Sequence, residues 1–153
     1  KVGGGTQFTS MYAAYETLPQ SVKDRIDNLT ATHSIANYKY KEGDGMTVED
    51  QLRFPAVHHP AVLTHPVTGR KALYVSEGTA IQLDGIPADE SRKLLDMLFA
   101  HSVQDEFTWV HEWQVGDIVI WDNRCTMHRQ MPYDPAERRL MKRTTIVTAK
   151  PGV

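Results

Sequence analysis

The chemistry of this sequence is concentrated in residues 121–143, WDNRCTMHRQMPYDPAERRLMKR, where His128 is followed 11 and 15 residues later by Arg139 and Arg143. Residues 117–121 form a short apolar run that is expected to be a strand, entered from a hairpin turn at Val115-Gly116-Asp117. His128 is then expected in a loop containing Pro132 and Pro135, with residues 138–148 returning as a basic strand. Side chains alternate along a strand, so Arg139, Met141, Arg143 and Thr145 would share one face, and Leu140, Lys142, Thr144 and Ile146 the other. Two guanidinium forks at most roughly 13 Å apart on such a face can each grip a separate carboxylate or sulfonate. An imidazole at a strand end is a common metal ligand. Spacing alone also permits a plainer reading, in which His128 is a surface residue and RRLMKR a solvated edge strand that resists pairing.

The elements that must position these residues follow from periodicity. Gly3-Gly4-Gly5-Thr6-Gln7-Phe8 is expected to be a loop running into a short strand. Residues 10–18 and 20–29 are expected to be two helices divided at Pro19, the first capped by Ser10, the second burying Val22, Ile26 and Leu29. Residues 30–40 alternate and carry aromatics, which predicts an extended segment. Residues 41–54, KEGDGMTVEDQLRF, are charged and glycine-containing and predict a loop or lid. In residues 55–75 the prolines at 60 and 66 hold an extended backbone. Its three histidines, His58, His59 and His65, lack cysteine or acidic companions and make a weak zinc set. Residues 88–102 predict the clearest helix, with Leu94, Leu95, Leu98 and Phe99 as its apolar stripe and Pro87, Asp89 and Glu90 at its start. Residues 107–113 place Phe107, Trp109, His111 and Trp113 on one face of a strand, with His111 in a structural role.

Composition sets outer bounds. The 153 residues suit a single domain or part of one, and 41% hydrophobic with 24% charged residues is ordinary for a globular protein. A net charge of -2 argues against nucleic acid or an anionic membrane surface as a general partner. The single cysteine, Cys125, excludes an internal disulfide and fits a reducing cytoplasm. No apolar run approaches membrane-spanning length. The start, KVGGGTQF, has neither initiator Met nor signal-peptide character and suggests a chain entered in mid-fold.

Together, WDNRCTMH and the two spaced arginines resemble the C-terminal signature of the taurine dioxygenase and 2,4-dichlorophenoxyacetate dioxygenase family of Fe(II)- and 2-oxoglutarate-dependent oxygenases. Gly3-Gly4-Gly5-Thr6-Gln7-Phe8 resembles the family's Gly-Gly-x-Thr-x-Phe segment, and HPAVLTHPVTGRKAL its His-Pro-x-x-x-Thr-His-Pro-x-Thr-Gly-Arg-Lys-Ala-Leu region, which implies a strand, a turn at Thr68-Gly69 and a strand at 72–75. Two departures are visible. Leu63 stands where an arginine is common, and Thr79 follows Glu-Gly where taurine enzymes have an aromatic residue. The second implies a differently shaped pocket and points away from taurine itself. Asn37, Tyr38 and Lys39 fall where the family varies with substrate.

The resemblance implies a mainly β fold with flanking helices, a double-stranded β-helix or jelly-roll of cupin type. His128 would be an iron ligand, Thr6 and Arg139 would bind the distal carboxylate of 2-oxoglutarate, Arg143 would hold the acidic head of the substrate, and Trp121 would wall the pocket. The reaction implied is oxidation of a small organic acid (a sulfonate, sulfate ester or aryloxyalkanoate) by dioxygen, with release of succinate and carbon dioxide. A cytoplasmic homo-oligomer is the expected setting. The family's other two ligands come as His-x-Asp or His-x-Glu, and none of the seven histidines is followed two places on by an acid. By the family's spacing that motif would lie upstream of Lys1, which makes residues 1–153 the C-terminal portion of one dioxygenase domain, incomplete at its N-terminus. The alternative is an inactive jelly-roll binding module without iron. A zinc-bound cupin-like hydrolase is a third, set back by having two arginines and no general base.

Overall fold

The computed structural model describes residues 3–35 and 47–146. Its elements are β1 (Thr6–Ser10), α1 (Met11–Glu16), α2 (Gln20–Ile26), β2 (Thr30–His33), α3 (Val48–Arg53), β3 (Val57–Pro60), β4 (Val62–Thr64), β5 (Lys71–Leu73), β6 (Ala80–Leu83), α4 (Ala88–Ser102), β7 (Thr108–His111) and β8 (Thr126–Gln130). All sheet pairings are antiparallel. β1 lies between β7 and β8, β2 lies between β3 and β6, and β4 pairs with β5. The architecture is mainly β with a few helices.

The helices form where the sequence supplies starts and stops. The Ser10 hydroxyl accepts from the Ala13 amide at 3.3 Å and caps α1, satisfying one of the donors a helix leaves open. Pro19 and Pro87 stand at the N-caps of α2 and α4, where a missing N–H costs nothing. Leu94, Leu95, Leu98 and Phe99 of α4 are all buried, as the stripe predicts, while Met97 flanks it half-exposed. The stripe closes a core built with Ile26, Ala31, Leu73, Val75 and Leu83. Ser91 fastens α4 to β6 by accepting from the Leu83 amide at 2.7 Å. Burying each such leucine contributes about 1.5–3 kcal/mol, so α4 is the scaffold on which the second sheet rests.

Several expectations change. His128 is not in a loop: it is the middle residue of β8, paired opposite Phe8. Residues 117–121 and 138–146 form no strands, although Gly116 does adopt the turn conformation with φ 96°. The alternating pattern is present, but a strand exists only where a neighbour accepts its hydrogen-bond ladder. No described strand runs beside these segments, and Ile118 and Ile120 are each 87% exposed. Residues 48–53, expected within a loop, form α3. The extended segment predicted over 30–40 is strand only at Thr30–His33. The aromatic strand shortens to Thr108–His111, with Phe107 buried in a 3-10 turn before it. Residues 36–46, including Asn37, Tyr38, Lys39 and the first part of the predicted lid, lie outside the described residues, as do 147–153. Among the described residues no helix is long and apolar enough to cross a membrane.

Candidate functional site

Residues directly opposite one another in an antiparallel pair project to the same side. The registers Thr6↔Gln130 and Phe8↔His128 on one edge of β1, and Thr6↔His111 and Phe8↔Trp109 on the other, therefore gather these side chains on one face. Phe8 is the hub. Its ring stacks on Trp109 at 5.7 Å, and lies 5.4 Å from Trp121 and 6.1 Å from His128. Trp121 in turn lies 4.9 Å from the imidazole of His128 and is fixed by its indole N–H donating to Asn123 at 2.9 Å.

His128 itself is left with its lone pair available. Among the described residues its ring has no hydrogen-bond partner. Burial pushes its pKa down and the positive charge of Arg143 adds to the effect. A neutral imidazole with an uncommitted nitrogen is what a metal ligand must be. Arg143 is an exposed cation with no ion-pair partner among the described residues.

Arg139 is placed at the other end of the same face. Its Nε donates to the Gly4 carbonyl at 3.1 Å, its Nη1 reaches Gln130 at 3.4 Å, and its guanidinium lies over the Tyr133 ring at 5.8 Å. The preceding glycines explain how the backbone comes so close. Gly4 has φ 73°, and a side chain there would press on Tyr133 and Arg139; at Gly5 an added Cβ would stand 2.8 Å from the His111 carbonyl. Thr6 is buried and accepts from the Trp113 indole N–H at 2.9 Å, which leaves its own hydroxyl hydrogen to donate elsewhere. Arg139 and Thr6 thus meet at the Thr6–Gln130 rung, one strand repeat away from His128.

A separate buried clamp holds the chain entering β8. His65, 6% exposed, accepts from the Val67 and Thr68 amides through Nδ1 at 3.3 Å each, so its Nε2 must carry the hydrogen it gives to Asp122 at 3.1 Å. Asp122 also accepts from the Arg124 amide and from the Arg124 guanidinium at 2.6–3.1 Å. The Arg124 bonds and that of His65 hold the Asp122 carboxyl well below the usual carboxylate range. His65, Asp122 and Cys125 are near enough to suggest a metal site. The imidazole cannot bind one while Nδ1 accepts backbone hydrogens, and the carboxylate is already matched by Arg124. This group is a fastening. The other two histidines of that region also go separate ways, His58 to Asp84 at 2.8 Å and His59 into ring contacts with His33 and Tyr74.

A cavity of about 650 Å³ opens beside His128. Its walls are largely apolar, from Met11, Phe54, Val57, Leu73, Val75 and Met127, with His33, His59, Tyr74, Thr79 and Asn123 set among them. That size and lining suit a small organic molecule.

Of the residues singled out in the sequence, His128, Trp121, Thr6 and Arg139 share one face or its rim, and Arg143 is near enough to bear on the charge of His128. The facing-strand alternation proposed for Arg139 and Arg143 is not how they are positioned, since 138–146 is not a strand. Phe8, His33 and Tyr74 were missed. Phe8 was within reach, because strand alternation puts it on the face of Thr6; His33 and Tyr74 carry no local signal. Among the described residues no acid or second histidine completes a ligand group with His128. His128 fits iron as one ligand, and a triad would need two more from residues outside those described.

A family model described as "Taurine catabolism dioxygenase TauD, TfdA family" matches residues 1–145. The chain is 41% identical over 144 residues to an alpha-ketoglutarate-dependent 2,4-dichlorophenoxyacetate dioxygenase of Cupriavidus pinatubonensis, covering 94% of this chain and 50% of that relative. It is 32% identical to a pentalenolactone F synthase of Streptomyces arenae, covering 98% and 54%. Among solved structures it superposes on AAD-2 in complex with Mn(II) and N-oxalylglycine with a TM-score of 0.89 at 39% identity, covering 99% of this chain and 60% of that one. The chain spans about half the length of the curated relatives it matches.

Proposed function

The chain belongs to the taurine catabolism dioxygenase TauD, TfdA family, and we propose that it serves an Fe(II)- and 2-oxoglutarate-dependent dioxygenase that hydroxylates a small organic acid with release of succinate and carbon dioxide. Residues 1–153 are read as the C-terminal portion of a single double-stranded β-helix domain, whose two further iron ligands lie outside this sequence. The observation that carries the reading is the shared face of Thr6 and His128, with Arg139 at one end and Arg143 close enough to depress the imidazole. It offers a neutral metal ligand and two cations, and the reaction has two anions to hold.

The iron, when bound, supplies the activation of dioxygen. What this chain adds is position. His128 contributes one neutral nitrogen. Thr6 donates its hydroxyl and Arg139 its free guanidinium nitrogen to the far carboxylate of 2-oxoglutarate. Arg143 holds the acidic head of the organic substrate, and Trp121 with Phe8 excludes water beside His128. The largely apolar cavity favours an organic acid with a sizeable carbon body, and so an aryloxyalkanoate over taurine. Dioxygen is the oxidant, and a cytoplasmic homo-oligomer is the setting that we infer.

The test is stoichiometric. The intact protein, supplied with Fe(II), 2-oxoglutarate and phenoxyacetate in air, is expected to release about one succinate per substrate consumed, as coupled oxidation requires. Substrate-independent or absent succinate formation across the sulfonate, sulfate ester and aryloxyalkanoate classes would overturn the reading.

A further inference from the structure

One buried polar atom of a residue in the cavity wall has nothing to bond among the described residues. The Nε2 of His33 is shielded from solvent and has no hydrogen-bond partner there. The other ring nitrogen is committed: Nδ1 lies 3.1 Å from the Thr79 hydroxyl, which is itself 2.9 Å from that of Ser76. The ring is bordered by two others, edge-on to His59 at 5.5 Å and tilted against Tyr74 at 5.9 Å, while those two rings meet at 5.6 Å. His33 ends β2 just past an irregularity in the β2–β6 register between Thr32 and His33, a break of the kind that re-aims a side chain. Burial also pushes its pKa down, with His59 adding to the effect, so the ring enters binding neutral. A neutral imidazole with one nitrogen anchored and the other orphaned in a cavity wall is a half-made hydrogen bond.

We propose that His33 Nε2 receives an oxygen substituent carried on the ring of a cyclic organic acid, making the triangle of His33, His59 and Tyr74 a specificity subsite at the wall of the cavity shared with His128. The placement of the acid end near Arg143 rests on the dioxygenase reading above; the ring end rests on His33 alone. The three rings supply edges and faces for an aromatic or other flat body. A hydroxyl group suits Nε2 whichever nitrogen holds the hydrogen, because it both donates and accepts. A bare hydrocarbon ring leaves the nitrogen unpaired, and sites built with such a group discriminate against ligands that cannot satisfy it.

The experiment compares phenoxyacetate with 4-hydroxyphenoxyacetate, titrated calorimetrically into the intact protein loaded with Fe(II) and 2-oxoglutarate under anaerobic conditions, so that no turnover intervenes. The wild type is expected to bind the hydroxylated compound roughly 5–10-fold more tightly, the scale of one hydrogen bond. In His33→Phe the ratio is expected to fall to about one. An unchanged ratio in the variant, or no preference in the wild type, overturns the proposal. Should His33→Phe fail to fold, the wild type decides through its imidazole nitrogen resonances: the Nε2 signal of His33 should move with 4-hydroxyphenoxyacetate and not with phenoxyacetate, and equal movement overturns the proposal. Succinate release by the wild type in air separates the two readings. Its absence would sink the dioxygenase assignment while the affinity ratio still judges His33.

Discussion

Phe8 and His128 stand directly across from one another on β1 and β8, their rings 6.1 Å apart, with Trp121 closing the third side. The pairing means that the candidate iron ligand is aimed by a hydrogen-bonded ladder and the buried Phe8 ring, with Trp121 added from the non-strand segment before β8. A site held by strand pairing is stiffer than one held by loop contacts.

Phe8→Ala should therefore damage both stability and ligand binding. Phe8 is 7% exposed, and truncating a buried phenylalanine typically costs about 3–5 kcal/mol. Phe8→Leu should cost clearly less while still weakening Fe(II) binding, because the ring contact to His128 is lost. Chemical denaturation, read beside metal titration, checks both. Wild-type stability in Phe8→Ala would mean the aromatic wall does not support β8.

The Asp122 clamp predicts a pH-dependent contribution. Its carboxyl pKa is depressed in the folded protein by Arg124 and His65. A depressed folded pKa adds stability that is fully present above the unfolded value near 3.9 and is lost as pH falls towards the folded one. Asp122→Asn should thus destabilise by about 1–2 kcal/mol at pH 7, a figure kept low because the carboxylate is 36% exposed. The gap between variant and wild type should narrow below about pH 4. Denaturation midpoints at pH 7 and pH 3 measure it, and a gap that stays constant would contradict the clamp.

Much of the scaffold was legible in the sequence. The 88–102 helix has its predicted bounds, and Ser10 caps α1, because both depend on local periodicity and capping chemistry. His128, Trp121, Thr6 and Arg139 were singled out through the family resemblance, and the structure brings them to one face or its rim. What sequence did not reveal was which elements have partners. Residues 117–121 and 138–146 alternate like strands, yet Ile118, Ile120, Leu140 and Ile146 are exposed because no described strand lies beside them. His128 was misplaced for the converse reason: Pro132 and Pro135, which follow it, suggested a loop, and β1, more than a hundred residues earlier, supplies the ladder. His33 was unreadable because its meaning lies in a bond it fails to make.

Arg139 and Arg143 should separate the two ligands. Arg139→Ala is expected to raise the KM for 2-oxoglutarate on the order of 10–100-fold, as loss of a charge-assisted pair to a carboxylate does, with a smaller effect on the organic acid. Arg143→Ala should do the reverse. Steady-state kinetics in both substrates checks this; equal effects on both ligands from either variant would refute the assignment.

The most direct measurement is anaerobic titration of the intact protein with Fe(II) and 2-oxoglutarate, followed by the visible charge-transfer absorption of the chelate, in wild type and in His128→Ala. The account predicts a band that saturates at about one iron per chain in the wild type, as a single triad requires, and is abolished by the substitution. A band undiminished in His128→Ala, or none in a folded wild type, would contradict the claim that His128 holds the iron.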